Sequence, residues 1–220
     1  MVSEADHAAE EAIVELLRDE RPADGLVGEE GSSADGSSGR RWVVDPLDGT
    51  TNYLYGIPQW AVSVALEDAE GALAGVVFAP VAGELFAAER GGGAELRGAH
   101  PLRVRTGSSL ARSLVATGFG YDAERRRVQG RVATHVLPRV RDLRRAGAAA
   151  LDLAWVAAGR LDGYWERGLK PWDWAAGRLL VAEAGGAVAE LDGDPLGLAA
   201  AAPDLLPELV ALVREAERSA

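Results

Sequence analysis

Apolar and polar positions alternate in two regimes along this chain of 220 residues. Near the start, Ala9, Ala12, Ile13, Leu16 and Leu17 recur at helical spacing. Ser3 precedes them and Asp6 follows three residues later, a capping-box arrangement, so an amphipathic helix is expected to run to about Arg18–Arg21. Leu26–Glu30 reads as a short strand ending in acids, and the Gly/Ser-rich stretch from Gly31 to Gly39 as a polar, mobile loop. Strand-like runs follow at Trp42–Val44, Trp60–Leu66, Leu73–Phe78, Glu84–Ala88 and Pro101–Arg105. Turn residues separate them at short intervals, which predicts an antiparallel meander.

Beyond Thr106–Ser109 the pattern changes. Leu114–Thr117 reads as a buried strand, Asp122–Leu137 as a polar helix and Arg139–Arg145 as a basic strand or loop. Ala148–Gly159 is a helix of small residues, Leu161–Glu166 a strand, and Trp172–Ala184 a helix stopped by Gly185-Gly186. Val188–Leu191 is a strand and Leu205–Ala216 an amphipathic helix. Strands alternating with helices predict an α/β second half after a β-rich first half. The expected division is a domain over residues 1–106, α+β with the antiparallel sheet, and an α/β domain over residues 107–220.

Composition narrows the chemistry. A hydrophobic content of 48% and a charged content of 26% are those of an ordinary globular chain. No apolar run has the length of a membrane span and no signal segment opens the chain, so no membrane partner is expected. A net charge of −11 argues against nucleic acid as a partner. Lys170 is the only lysine, a bias that genome composition explains without appeal to function. With no cysteine, any metal must rest on oxygen or imidazole ligands, and His7, His100 and His135 lack ligand spacing and read as surface or capping residues.

The most informative run is Trp42-Val43-Val44-Asp45-Pro46-Leu47-Asp48-Gly49-Thr50-Thr51-Asn52. An apolar strand delivers two carboxylates, three residues apart, into a Gly-Thr-Thr corner whose amides can face an anion. Carboxylates beside an anion nest conflict unless a hard cation joins them, which points to divalent-metal phosphate chemistry. Asp45-Pro46-Leu47-Asp48 could also form only a type I turn. Glu29 and Glu30 could be a solvated pair, and Asp173, in the first turn of a helix after Pro171, is equally explained as a partner of the helix dipole.

Three motifs in series carry a resemblance: Gly28-Glu29-Glu30, the run Asp45–Asn52, and Trp172-Asp173 followed by Ala176-Gly177 and Glu183-Ala184-Gly185-Gly186. From about Val2 to Gly193 the chain resembles the inositol monophosphatase family of lithium-sensitive, magnesium-dependent sugar phosphatases. The resemblance implies a layered αβαβα sandwich, α+β and α/β in its parts, called the sugar phosphatase fold. It implies two or three Mg²⁺ ions: Glu29, Asp45 and the Leu47 carbonyl on one, Asp45, Asp48 and Asp173 on another. Thr50 and Asp6 would orient the attacking water, with Glu29 beside them, and the Gly49 and Thr50 amides would hold phosphate. Glu166, the Ala149 amide and Asp48 would meet the hydroxyls of a phosphorylated polyol.

Inositol 1-phosphate is the substrate so implied. Histidinol phosphate and a fructose-1,6-bisphosphatase-like activity are the alternatives, and a regulatory partner of the transcription machinery is an alternative of another class. Glu166 could also be no more than a surface acid on a strand. The resemblance also implies a homodimer, a cytoplasmic location, and a helix and hairpin ahead of the segment matching Val2–Asp6. Their lack here leaves a trimmed relative or a misplaced start. The misplaced start is the expected one, because Asp6 would otherwise be held by a fraying terminus.

Overall fold

The chain is described by a computed structural model over residues 2–220. Helix α1 (Glu4–Glu20) begins at the expected capping box, with the Asp6 carboxylate accepting from the Ser3 amide at 2.9 Å. Its buried line is not the apolar stripe. Asp6, Glu10 and Val14 face inward at a spacing of four, while Leu16 is 62% exposed.

Strands β1 (Gly25–Gly28), β2 (Ser33–Ala34) and β3 (Arg41–Asp48) follow, then the short helix α2 (Thr50–Leu54). The loop expected over 31–39 thus contains a two-residue strand, β2, paired with β1. Next come β4 (Ala61–Asp68), β5 (Gly71–Ala79), β6 (Glu84–Glu89), β7 (Gly93–Leu96) and β8 (His100–Pro101). They build an eight-stranded sheet in the order β2-β1-β3-β4-β5-β6-β7-β8, a meander from β3 onward with β1 parallel to β3. The strand expected over Pro101–Arg105 is pairing-competent only at its first residue. Leu102 and Val104 instead donate single bonds to the Ala94 and Ala184 carbonyls.

The second half contains β9 (Leu114–Thr117), α3 (Ala123–Val136), β10 (Asp142–Arg144), α4 (Ala149–Ala157), β11 (Gly163–Arg167), α5 (Pro171–Glu183), β12 (Ala187–Leu191), β13 (Gly197–Ala201) and α6 (Leu206–Arg218). Its sheet runs β10-β9-β11-β13-β12, parallel over the first three strands. Strand β13, Gly-Leu-Ala-Ala-Ala, escapes a reading by propensity because alanine favours helix. All five of its residues are buried, and small side chains let neighbouring elements approach.

Helices α4 and α5 contact both sheets, α3 and α6 pack together with α6 against β12 and β13, and α1 lies against β3. The expected αβαβα layering is what results. One hydrophobic cluster joins Val43, Val77 and Phe86 of the first sheet to Leu153, Leu180 and Val181 of the middle helices and Tyr164 of the second sheet. Close approach depends on glycine: a Cβ on Gly75 would lie 2.9 Å from Ala176 Cα. Glu183 closes the middle layer onto the β6–β7 turn, accepting from the Gly91 and Gly93 amides at 2.8 and 2.9 Å. Among the described residues, no helix is long and apolar enough to cross a membrane.

Candidate metal centre and active site

The site is set by an irregularity at the end of β3. In a regular strand, residues three apart point to opposite faces. Here Asp45 pairs with Ser63 and Asp48 with Ala61, so three steps on β3 match two on β4. The extra residue is a β-bulge, and it falls where Pro46 has no amide to give the ladder. The bulge brings Asp45 and Asp48 to one face, and both are buried. Asp173 reaches the same place from the first turn of α5, where Ser63 Oγ donates to the Trp172 carbonyl at 3.3 Å. Ligand oxygens of Asp45, Asp48 and Asp173 lie within 4.8 Å of one another.

Each carboxyl is anchored by a backbone amide. Asp45 accepts from the Leu47 N–H at 2.9 Å, Asp48 from the Ala150 N–H at 2.6 Å, and Asp173 from the Lys170 N–H at 2.6 Å. The Asp48 bond caps the start of α4, so one side chain links the first sheet to the middle helix layer. Glu29, just past β1, stands beside Asp45 and completes the acid group.

Burial pushes the Asp45 and Asp48 carboxyls well above the usual range. The charges of Asp48, Glu29 and Asp173 add to this at Asp45, and Asp173 adds to it at Asp48. Glu29 is pushed up to about 7, first by withdrawal from water and then by Asp173, Glu30 and Asp6, against the lowering contact with Asp45. Asp173 rises to about 6, again chiefly through burial. Carboxylates this close repel one another and suit a hard cation on oxygen ligands. The donor set fits the divalent metal that the sequence implies.

Beside the acids, Gly49 takes φ 94° ahead of α2. A Cβ there would meet the Gln59 carbonyl at 3.0 Å and Ala148 Cβ at 3.2 Å, so both backbone shape and space demand glycine. The first amides of α2 have no acceptor within the helix. Thr50 Oγ1 lies 3.1 Å from Asp6 Oδ1 and 3.2 Å from the Leu47 carbonyl. Asp6 is itself held by the Ser3 amide and hydroxyl. Asn52 stitches the corner, donating to the Gln59 and Ala146 carbonyls at 2.6 and 2.7 Å.

The structure therefore gathers Glu29, Asp45, Asp48 and Asp173, with Thr50 and Asp6 joined at one side. Ala149 lies buried at the start of α4 next to the Asp48 anchor. Glu166 on β11 accepts from the Tyr164 hydroxyl at 2.7 Å, and burial raises its carboxyl to about 7. It is half-buried rather than an exposed acid of the strand surface. His7, His100 and His135 are all exposed.

Asp152 escapes a reading of the sequence. It is 1% exposed on α4, its Oδ1 has no hydrogen-bond partner, and burial together with Asp48 and Glu166 lifts its carboxyl well above the usual range, against Arg145. The one signal for it is a lone acid in Ala149–Ala157, a helix otherwise made of core residues.

Comparison with known proteins bears on this geometry. The model of the inositol monophosphatase family matches residues 1–218. An inositol-1-monophosphatase of Rhizobium meliloti is 49% identical over 196 residues, covering 87% of this chain and 73% of the relative. A protein of Escherichia coli named Nus factor SuhB is 43% identical over 194 residues, covering 87% of this chain and 72% of its own length. The crystal structure of the extragenic suppressor protein SuhB from Bartonella henselae superposes with a TM-score of 0.90 at 40% identity, covering 96% of this chain and 84% of that one.

Proposed function

The chain belongs to the inositol monophosphatase family and is a phosphatase, and from that premise we propose that it hydrolyses inositol 1-phosphate to inositol and phosphate with Mg²⁺. The observation that carries this reading is the convergence of Asp45, Asp48 and Asp173 to within 4.8 Å, with Glu29 against Asp45. Glu29, Asp45 and the Leu47 carbonyl would hold one ion, and Asp45, Asp48 and Asp173 a second. When bound, such ions supply positive charge to the phosphate and make water more acidic.

The chain's own groups do the rest. Thr50 has one proton and donates it toward Asp6, which leaves its oxygen free to accept from the attacking water and fix that water's direction. Asp6 can do this because Ser3 holds its other oxygen. The Gly49 and Thr50 amides orient the phosphate oxygens. On the alcohol side, Glu166 accepts from neighbouring ring hydroxyls while Tyr164 fixes its rotamer, and the Ala149 amide and Asp48 hold the remaining edge. A homodimer in the cytoplasm and inhibition by lithium belong to the same reading.

The test is phosphate release from inositol 1-phosphate, histidinol phosphate and fructose 1,6-bisphosphate, with Mg²⁺ and with chelator. Release from histidinol phosphate but not from inositol 1-phosphate would overturn the substrate assignment. Asp45→Asn, which alters a ligand proposed for both ions, is expected to lower turnover by more than about a hundredfold, the upper end of what neighbours of metal ligands cost. Retained turnover would remove Asp45 from that role.

A second reading is favoured by the relatives named Nus factor SuhB, at 42% and 43% identity. In it the chain binds a component of the transcription machinery independently of turnover. Co-purification of RNA polymerase with both the native protein and Asp45→Asn would support it, and capture by neither would count against it.

A further inference from the structure

Beyond Glu166 the fold holds a second space, a cleft of about 550 Å³ between α3, β11 and the turn at Gly193–Pro195. Its walls are mostly apolar: Phe119, Val128, Val132 and Trp165, the last two buried. Glu166 belongs to this wall as well as to the acid site, because Gly118 makes room for it. A Cβ on Gly118 would stand 1.8 Å from the Glu166 Oε2. The Glu166 carboxyl therefore stands between the cleft and the proposed alcohol side of the site.

The charges around the cleft are unevenly committed. Arg167 is closed onto Glu217 at 2.8 Å and onto the Leu191 and Pro195 carbonyls at 2.9 Å. Glu124 is paired with Arg127 at 2.7 Å. Arg125 has no carboxylate partner among the described residues. Its guanidinium lies along Gly168 and Pro195, where a Cβ on Gly168 would be 2.9 Å from Nη1. A cleft of this size is in the range of small-molecule sites, which are apolar with a few placed polar groups. Inositol offers only the small C–H faces of a single ring edged by hydroxyls, too little to cover Phe119, Val132 and Trp165, and its ring brings nothing negative to Arg125.

We propose that this cleft receives the far end of the alcohol in a second class of phosphomonoester, one whose ester oxygen sits on an apolar or aromatic ring bearing an anionic group for Arg125. The proposal rests on the phosphatase reading above. Hydrolysis of such an ester breaks the bond from phosphorus to the alcohol oxygen and forms one to the water oxygen. One proton passes to the alcohol, so water is the only other reactant. The carboxylate or similar group would meet the planar fork of Arg125, which suits two-point recognition.

The test compares 6-carboxy-2-naphthyl phosphate, 2-naphthyl phosphate and inositol 1-phosphate on the full chain and on Val128→Trp and Arg125→Ala. Val128 is 44% exposed, so a larger side chain there can fill the cleft without entering the core. Val128→Trp is expected to lower kcat/KM for both naphthyl esters by about tenfold, and Arg125→Ala for the carboxylated one alone, the scale of a lost pocket contact. Inositol 1-phosphate should be unaffected by either. Parallel losses on all three esters, or no loss on any, would overturn the proposal.

Titration calorimetry with 6-hydroxy-2-naphthoate, the product, separates the two readings. Binding that both variants weaken supports the cleft even if no ester is hydrolysed, which would sink the phosphatase reading alone. Absent binding, or binding that neither variant weakens, sinks the cleft assignment while leaving hydrolysis of inositol 1-phosphate intact.

Discussion

Asp152 is an acid whose surroundings oppose its ionisation: burial first, then Asp48 and Glu166, with Arg145 alone on the other side. Its folded pKa is raised, so the native state keeps the proton while the unfolded chain releases it above about pH 4. That difference costs stability as pH rises. Asp152→Asn removes the titration, and its melting temperature should exceed the native protein's by a margin that vanishes near pH 4 and grows toward neutrality. The gain is at most about 1.4 kcal/mol per pH unit. Melts in chelator across pH 4–7 check it; a constant margin would show that the amide acts through packing or new bonds. At this scale the sequence disclosed the acids that border strands and turns. Glu29, Asp45, Asp48 and Asp173 stood out as such, whereas Asp152 was hidden by the apolar residues around it and Glu10 by its place in an acidic helix face.

Helix α1 shows how an element can be found and its buried face still misread. Its start and length followed from Ser3, Asp6 and the helical spacing, but the inward line is Asp6, Glu10 and Val14. Acids read as solvent-facing unless their partners are known, and those partners lie far along the chain. Glu10 accepts from the Glu30 N–H at 2.9 Å and the Ser32 N–H at 3.0 Å, gripping both sides of the turn that follows Glu29. Gly28 allows the approach, since a Cβ there would lie 2.4 Å from the Glu10 carboxylate.

Glu10→Ala leaves two amides without their acceptor, at about 1–3 kcal/mol for each that stays buried. The expected signature is a Mg²⁺ midpoint raised by about tenfold to a hundredfold, seen both in activation and in metal-induced thermal stabilisation. Turnover at saturating metal should change little. A fall in turnover with an unmoved midpoint would mean that Glu10 does not position Glu29. The bulge in β3 was similarly out of sight. The prolyl turn was legible, but the count of residues opposite it belongs to β4.

For the whole molecule, alternation of strands and helices revealed the classes of both halves, and the motif series disclosed the layering. What pattern could not supply was how tightly the layers meet, because that depends on small residues facing one another across elements. Gly177 of α5 is the clearest case: a Cβ there would lie 2.6 Å from Leu153 Cβ on α4. Alanine gains about 1 kcal/mol over glycine inside a helix, but crowding a packed core costs about 1–3 kcal/mol. Gly177→Ala should therefore lower the melting temperature, with the larger effect on the whole cooperative unit since α4 and α5 touch both sheets. An equal or higher melting temperature would show that the helices can part at no cost.

The bulge between Asp45 and Asp48 has a consequence for how this chain can vary. Exchanging one side chain for another there adjusts the acid group by degrees. Deleting a single residue would leave the two carboxylates two apart and still on one face, but would abolish the bulge that holds the Leu47 amide against Asp45 and the Leu47 carbonyl against Thr50. Between those positions the gene can drift in spelling but not in length.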